Sequence, residues 1–155
     1  MNLQIKAKIR WKLQESELFT KGKYSRVHEW ELENGHSIPA SSSPHIVPLP
    51  YTNPEIIDPE EAFLCSLASC HMLFFLSIAA KKKIEVLEYL DAPIATLAKN
   101  NSQKLAITEV SLQPQVRTSL SLDLEALEHM HHLAHENCFI ANSVHSKIQI
   151  NPVYL

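Results

Sequence analysis

Residues Ala62 to Ala80 form nineteen consecutive uncharged positions, set between Glu60-Glu61 and Lys81-Lys82-Lys83. No other stretch constrains the chain as much. A helix this apolar is not a surface helix, because a surface helix keeps one polar face. Two readings follow. The length just suffices to cross a bilayer, and the three lysines resemble a cytoplasmic flank. Against a span stand Ser66, Ser69, His71 and Ser77 inside the run and the lack of a Trp or Tyr belt. The core-helix reading is therefore preferred, and no membrane partner is expected. Both ends carry helix signals. Asp58 can cap, Pro59 suits the first helical position, and Glu61 completes a capping box. The lysines complement the negative end of the helix dipole. The spacing predicts a helix of about six turns.

The rest of the chain must cover such a helix. Leu3, Ile5, Ala7, Ile9, Trp11 and Leu13 alternate with polar residues, which predicts a strand with one buried face. A second strand is expected over Tyr24 to Leu32. Asn34-Gly35 then signals a two-residue hairpin turn into a third strand from His36. Four prolines between residues 41 and 58 mark an irregular, ordered crossing. After the helix, Val86 to Ala98 reads as one strand or two, broken at Asp91 to Pro93. Leu105 to Val116 reads as another. Ser121 or Asp123 caps a second helix, Leu124 to Asn137, with Leu127, Met130, Ala134 and Cys138 on its inner face. Phe139 to Val153 closes as a strand.

Strands punctuated by two helices predict an α+β fold with a mainly antiparallel sheet. The chain has 155 residues, which suits a single domain over residues 1–155. One sheet covers only one side of an all-apolar helix, so a homodimer with central helices is expected. Two glycines are too few for a phosphate loop or a dinucleotide fingerprint. A net charge of −3 argues against nucleic acid as partner. The start has no signal-peptide core, so the cytoplasm is the expected compartment.

Three groups could carry chemistry. Cys70 and Cys138 each lie on an apolar helix face, where a cysteine is either a small hydrophobe or a tuned thiol. His131 and His135, with Cys138 three residues on, have a spacing compatible with zinc; the alternative is an ordinary helix surface with one or two buried rings. Arg26 and Glu60 are the charge candidates; taken singly, they read as a surface ion-pair residue and a dipole-complementing residue.

Taken together, DPEEAFLCSLASCHM and AHENCFIANSV resemble the OsmC/Ohr family of thiol-dependent peroxidases. YSRVHEWELENG and SSSPHIVPLP extend the likeness over nearly the whole chain. The resemblance implies an intertwined homodimer that reduces organic or lipid hydroperoxides with an external dithiol and no cofactor. It implies that Cys70 is the peroxidatic cysteine and Cys138 the resolving one. Glu60 matches the family's glutamate, with Glu61 beside it, and Arg26 matches its arginine, with Arg10 as the alternative. Ten residues of continuous helix would separate Glu60 from Cys70 by about 15 Å, so either the helix breaks between them or Glu60 serves the partner's thiol, and the second fits the expected dimer. The competing readings are a small-molecule or zinc-binding protein on the same scaffold, using His131, His135 and Cys138, and a structural dimer with inert thiols.

Overall fold

A computed structural model describes residues 2–153. Met1, Tyr154 and Leu155 of the expected single domain lie outside the described residues. The chain divides into two compact units, Met1–Ala62 and Phe63–Leu155.

The first unit holds an antiparallel three-stranded sheet in the order β1-β2-β3: β1 (Ala7–Arg10), β2 (His28–Leu32) and β3 (Ser37–Ala40). Trp30 pairs with Ile9 on one side and Ile38 on the other. The expected Leu3–Leu13 strand is shorter, and neither of its faces is buried. Ile9 is 62% exposed and Ile5 89%. β1 is an edge strand whose residues stay exposed, so alternation marked the strand without filling a core. The expected two-residue hairpin turn is a three-residue loop. Leu32 pairs with His36 through its N–H, and Gly35 takes φ 85°. That left-handed geometry is the one a glycine bulge supplies after a type I turn.

Helix α1 runs unbroken over Pro59–Lys81. Its start is the expected capping box. Asp58 Oδ1 accepts from the Glu61 N–H at 2.8 Å, and Glu61 Oε2 accepts from the Asp58 N–H at 3.3 Å. It ends where Lys83 turns to φ 60°. By length and composition α1 could cross a membrane. In the second unit it instead buries Leu67, Ala68, His71, Phe75 and Ala79.

The second unit adds two small sheets and helix α2 (Leu124–Asn137). β4 (Val86–Leu90) pairs antiparallel with β7 (Gln115–Thr118). β5 (Ile94–Lys99), β6 (Leu105–Leu112) and β8 (Lys147–Ile150) form the other sheet. The expected Leu105–Val116 strand is two strands in different sheets. Pro114, buried between them, has no N–H to continue a ladder. The expected Phe139–Val153 strand contracts to β8, because Ala141–Ser143 first makes a 3-10 turn. β8 runs parallel to β6, the one parallel pairing among the described strands. Helix α2 starts where expected, with Asp123 Oδ1 accepting from the Ala126 N–H at 2.7 Å.

Two core clusters result. Leu67, Ala68, Val110, Leu112 and Cys138 form one, with Cys70, Ile148 and Ile150 packed against it. Phe75, Ala79, Met130 and Ala134 form the other. The first gathers the thiols, and the second borders the histidines described below. The fold is α+β, with two helices and sheets that are antiparallel apart from β8.

Candidate functional site

The two candidate thiols are brought together although sixty-eight residues separate them (138 − 70). Cys70 is half-buried in the middle of α1, and Cys138 is fully buried as the residue that ends α2. The turn that follows points backbone at the sulfur: the Ala141 N–H donates to Cys138 Sγ at 3.4 Å. Burial, together with a hydrogen bond from its thiol to Cys70, pushes Cys138 up to about 11. Cys138 therefore holds its proton. The two sulfurs are unequal: one is fully buried and the other half-buried. Cys65 is exposed on the same helix and belongs to neither cluster.

The charged candidates lie in the first unit. Arg26 precedes β2 and is half-buried. Its guanidinium lies 3.6 Å from the centre of the Tyr24 ring. It donates to the Gly22 carbonyl at 3.1 Å and to the Tyr24 carbonyl. Arg26 lines an open cleft of about 460 Å³ with Ile9, Trp11, Phe19, Tyr24 and His28. The neighbouring arginine is differently placed: Arg10 pairs with Glu31 at 2.6 Å. Lys8 also bonds Glu31, and these cations hold its carboxyl below the usual range. Glu61 is occupied by the capping box, while Glu60 beside it has no such task. Arg26 and Glu60 do not form an ion pair with each other. The ion pairs between described residues join other partners.

The histidine constellation is not assembled. Among the described residues no group of three ligands could hold a metal ion. The geometric reason is that His131 faces across to α1 rather than toward His135 and Cys138. Its Nδ1 lies 3.1 Å from His71 Nε2, and both rings are buried. The ring planes differ by 6° and the centroids are 5.4 Å apart. The centroid separation exceeds the nitrogen gap by about one ring width. The rings thus meet edge to edge and in line, as an N–H···N hydrogen bond requires. Two ligands converging on one metal would be bent toward it instead. Burial, then the charges of His131 and His135, push His71 down to about 3. Burial pushes His131 down to about 4. At neutral pH both rings are neutral, one donating and the other accepting.

This pair was missed in the sequence. A signal for half of it was present: His71 interrupts an apolar run, a costly place for an unpartnered ring. Its partner is sixty residues away (131 − 71), and no local pattern links them.

Comparison with known proteins gives a consistent picture. The family described as OsmC-like protein matches residues 52–153. No curated protein matches the chain. An OsmC-like protein of unknown function from Vibrio cholerae is 48% identical, with a TM-score of 0.94 over 98% of this chain and 100% of that one. An organic hydroperoxide resistance protein from Elizabethkingia anophelis is 15% identical, with a TM-score of 0.73 over 99% of this chain and 96% of that one. The organic hydroperoxide resistance protein OhrB of Bacillus subtilis is 17% identical, with a TM-score of 0.64 over 99% and 98%. The last two likenesses are of fold alone.

Proposed function

This chain belongs to the OsmC-like protein family, and from that premise we propose that it reduces organic hydroperoxides through Cys70 and Cys138. One observation carries the reading: the half-buried Cys70 packs against the same core cluster as the fully buried Cys138, although the two are far apart in the sequence. The thiolate of Cys70 is the form that attacks.

The chemistry runs as follows. Cys70 Sγ attacks the terminal peroxide oxygen and the O–O bond breaks. The electron pair leaves with the alkoxide, which takes a proton to become the alcohol. Cys70 is then a sulfenic acid. Cys138 Sγ displaces its hydroxyl, water leaves, and a disulfide joins the two residues. An external dithiol reduces that disulfide by exchange. Phe74 and Phe139, with ring centres 5.1 Å apart, lie next to the thiol cluster and favour an apolar substrate.

In this reading Arg26 supplies the fixed cation for the thiolate, since a guanidinium keeps its charge. Glu60 orients that guanidinium in the partner's site, because α1 is unbroken and carries Glu60 about 15 Å from Cys70 along its axis. A homodimer follows. It also gives a use to the surface that α1 leaves open, where Leu73 is 62% exposed. The compartment is the cytoplasm, where dithiol reductants keep the cycle running.

The experiment is consumption of cumene hydroperoxide by the purified chain with a dithiol present. Wild type turns over, Cys70→Ser does not, and Cys138→Ser stalls after one equivalent of peroxide. Turnover by Cys70→Ser at the wild-type rate would refute the proposal.

A further inference from the structure

Four side-chain N or O atoms among the described residues are buried without a hydrogen-bond partner in the protein: His71 Nδ1, His131 Nε2, Tyr89 Oη and Asp91 Oδ2. They are not scattered. His71 and His131 share the in-line hydrogen bond across the two helices. The Tyr89 ring, on β4, lies 6.5 Å from the His131 ring, and Phe75 packs against both. Asp91 follows Tyr89 by two residues, and its charge acts on the Tyr89 hydroxyl. Its other oxygen is anchored, accepting from the Gln113 N–H at 2.7 Å.

A buried polar atom left without a partner forgoes the hydrogen bond that water gave it in the unfolded chain. Folded proteins meet such atoms with ordered internal water. Four on neighbouring residues of one core call for several such waters. We propose that His71, His131, Tyr89 and Asp91 line a buried, water-filled proton path from the helix that carries Cys70 to the half-exposed Asp91.

The chemistry of the four groups suits this role. A neutral imidazole accepts a proton at one nitrogen and releases one from the other. With the inner nitrogens bonded to each other, the outer two are the ends of a relay. A proton arriving at His71 Nδ1 sends the shared hydrogen to His131 Nδ1 and frees the one on His131 Nε2. Both rings are neutral before and after. Burial keeps them so, and the nearby His135 adds to that effect at His71. Burial also keeps the Tyr89 hydroxyl protonated as a relay and makes the Asp91 carboxylate take up a proton more readily.

The path rests on the peroxidase reading. Cys70 gives up a proton to become a thiolate, and the departing alkoxide takes one. The path passes that proton to the Asp91 carboxylate, which returns it by the reverse sequence to the alkoxide, and the whole reaction consumes none. Cys70 and His71 are consecutive residues that project about 100° apart around α1, so the proposed path needs water between sulfur and ring.

The test follows a single oxidation of the full chain by cumene hydroperoxide, in H₂O and in D₂O, for wild type, Tyr89→Phe and His131→Gln. Tyr89→Phe removes one hydroxyl and keeps the ring, so it tests the path even where His131→Gln disturbs the fold. The expected result is oxidation of Cys70 slowed about tenfold or more in Tyr89→Phe, with a larger solvent isotope effect. Oxidation of Tyr89→Phe at the wild-type rate with an unchanged isotope effect overturns the path alone. Wild-type thiols that stay reduced overturn the peroxidase reading and the path with it.

Discussion

Acid should unfold this protein through its buried histidine pair. Both rings are held below the ordinary value of 6.5, His71 at about 3 and His131 at about 4. The sign follows directly. The unfolded chain binds protons at these rings as pH falls through 6.5, while the folded chain does not. Stability from the pair is therefore present above that value and lost as pH drops toward the folded ones. Between pH 7 and pH 5 each unfolded ring gains about 1.9 kcal/mol of protonation free energy that the folded ring forgoes. The pair together costs about 3–4 kcal/mol over that interval, a large share of a typical total of about 5–15 kcal/mol. Asp91, raised by burial, works the other way and gains stability as pH falls. The comparison must therefore be made against a variant. Urea unfolding of wild type at pH 7 and pH 5 should show that loss, and His71→Gln/His131→Gln should show most of it removed. An NMR titration supports the assay without any substitution: two histidine rings should remain neutral down to pH 5. If all rings titrate near 6.5, the pair is not buried as described and the reasoning fails.

Three further outcomes follow from the same structure. Phe75 is fully buried against α2 and β4, so Phe75→Ala should cost about 3–5 kcal/mol in chemical unfolding; a loss under 1 kcal/mol would place the ring outside the core. Asp58→Ala removes the first half of the α1 capping box and should cost about 1 kcal/mol, read as a lower melting temperature. Alkylation with iodoacetamide at pH 8 should label exposed Cys65 readily and Cys138 last, since Cys138 is buried and held protonated up to about 11; early labelling of Cys138 in the folded chain would contradict both statements.

The helices were legible because their ends are written locally. Asp58, Pro59 and Glu61 announce α1, and Asp123 announces α2, each within one turn. The strands were legible as strands but not as sheets. Period-two alternation says nothing about which strand lies beside which, so the parallel β6–β8 pairing and the separation of β6 from β7 at Pro114 were hidden. Cys70 and Cys138 could be singled out by residue type and by resemblance, while their unequal burial is a product of packing. Arg26 illustrates a different limit. Its sequence neighbours suggested a carboxylate partner, yet its guanidinium is satisfied by two backbone carbonyls and the Tyr24 ring. The His71–His131 pair was the least legible feature. Helical spacing groups His131 with His135 and Cys138, and only the packing of α2 against α1 turns His131 toward His71.

The central claim is that Cys70 and Cys138 form one redox pair. Its most direct test is the intact mass of the purified chain after brief treatment with cumene hydroperoxide, followed by mapping of the cysteine peptides. The account predicts a loss of two hydrogens and a single cross-link joining Cys70 to Cys138, with Cys65 still free. Both thiols recovered free, or a stable cross-link through Cys65, would contradict it.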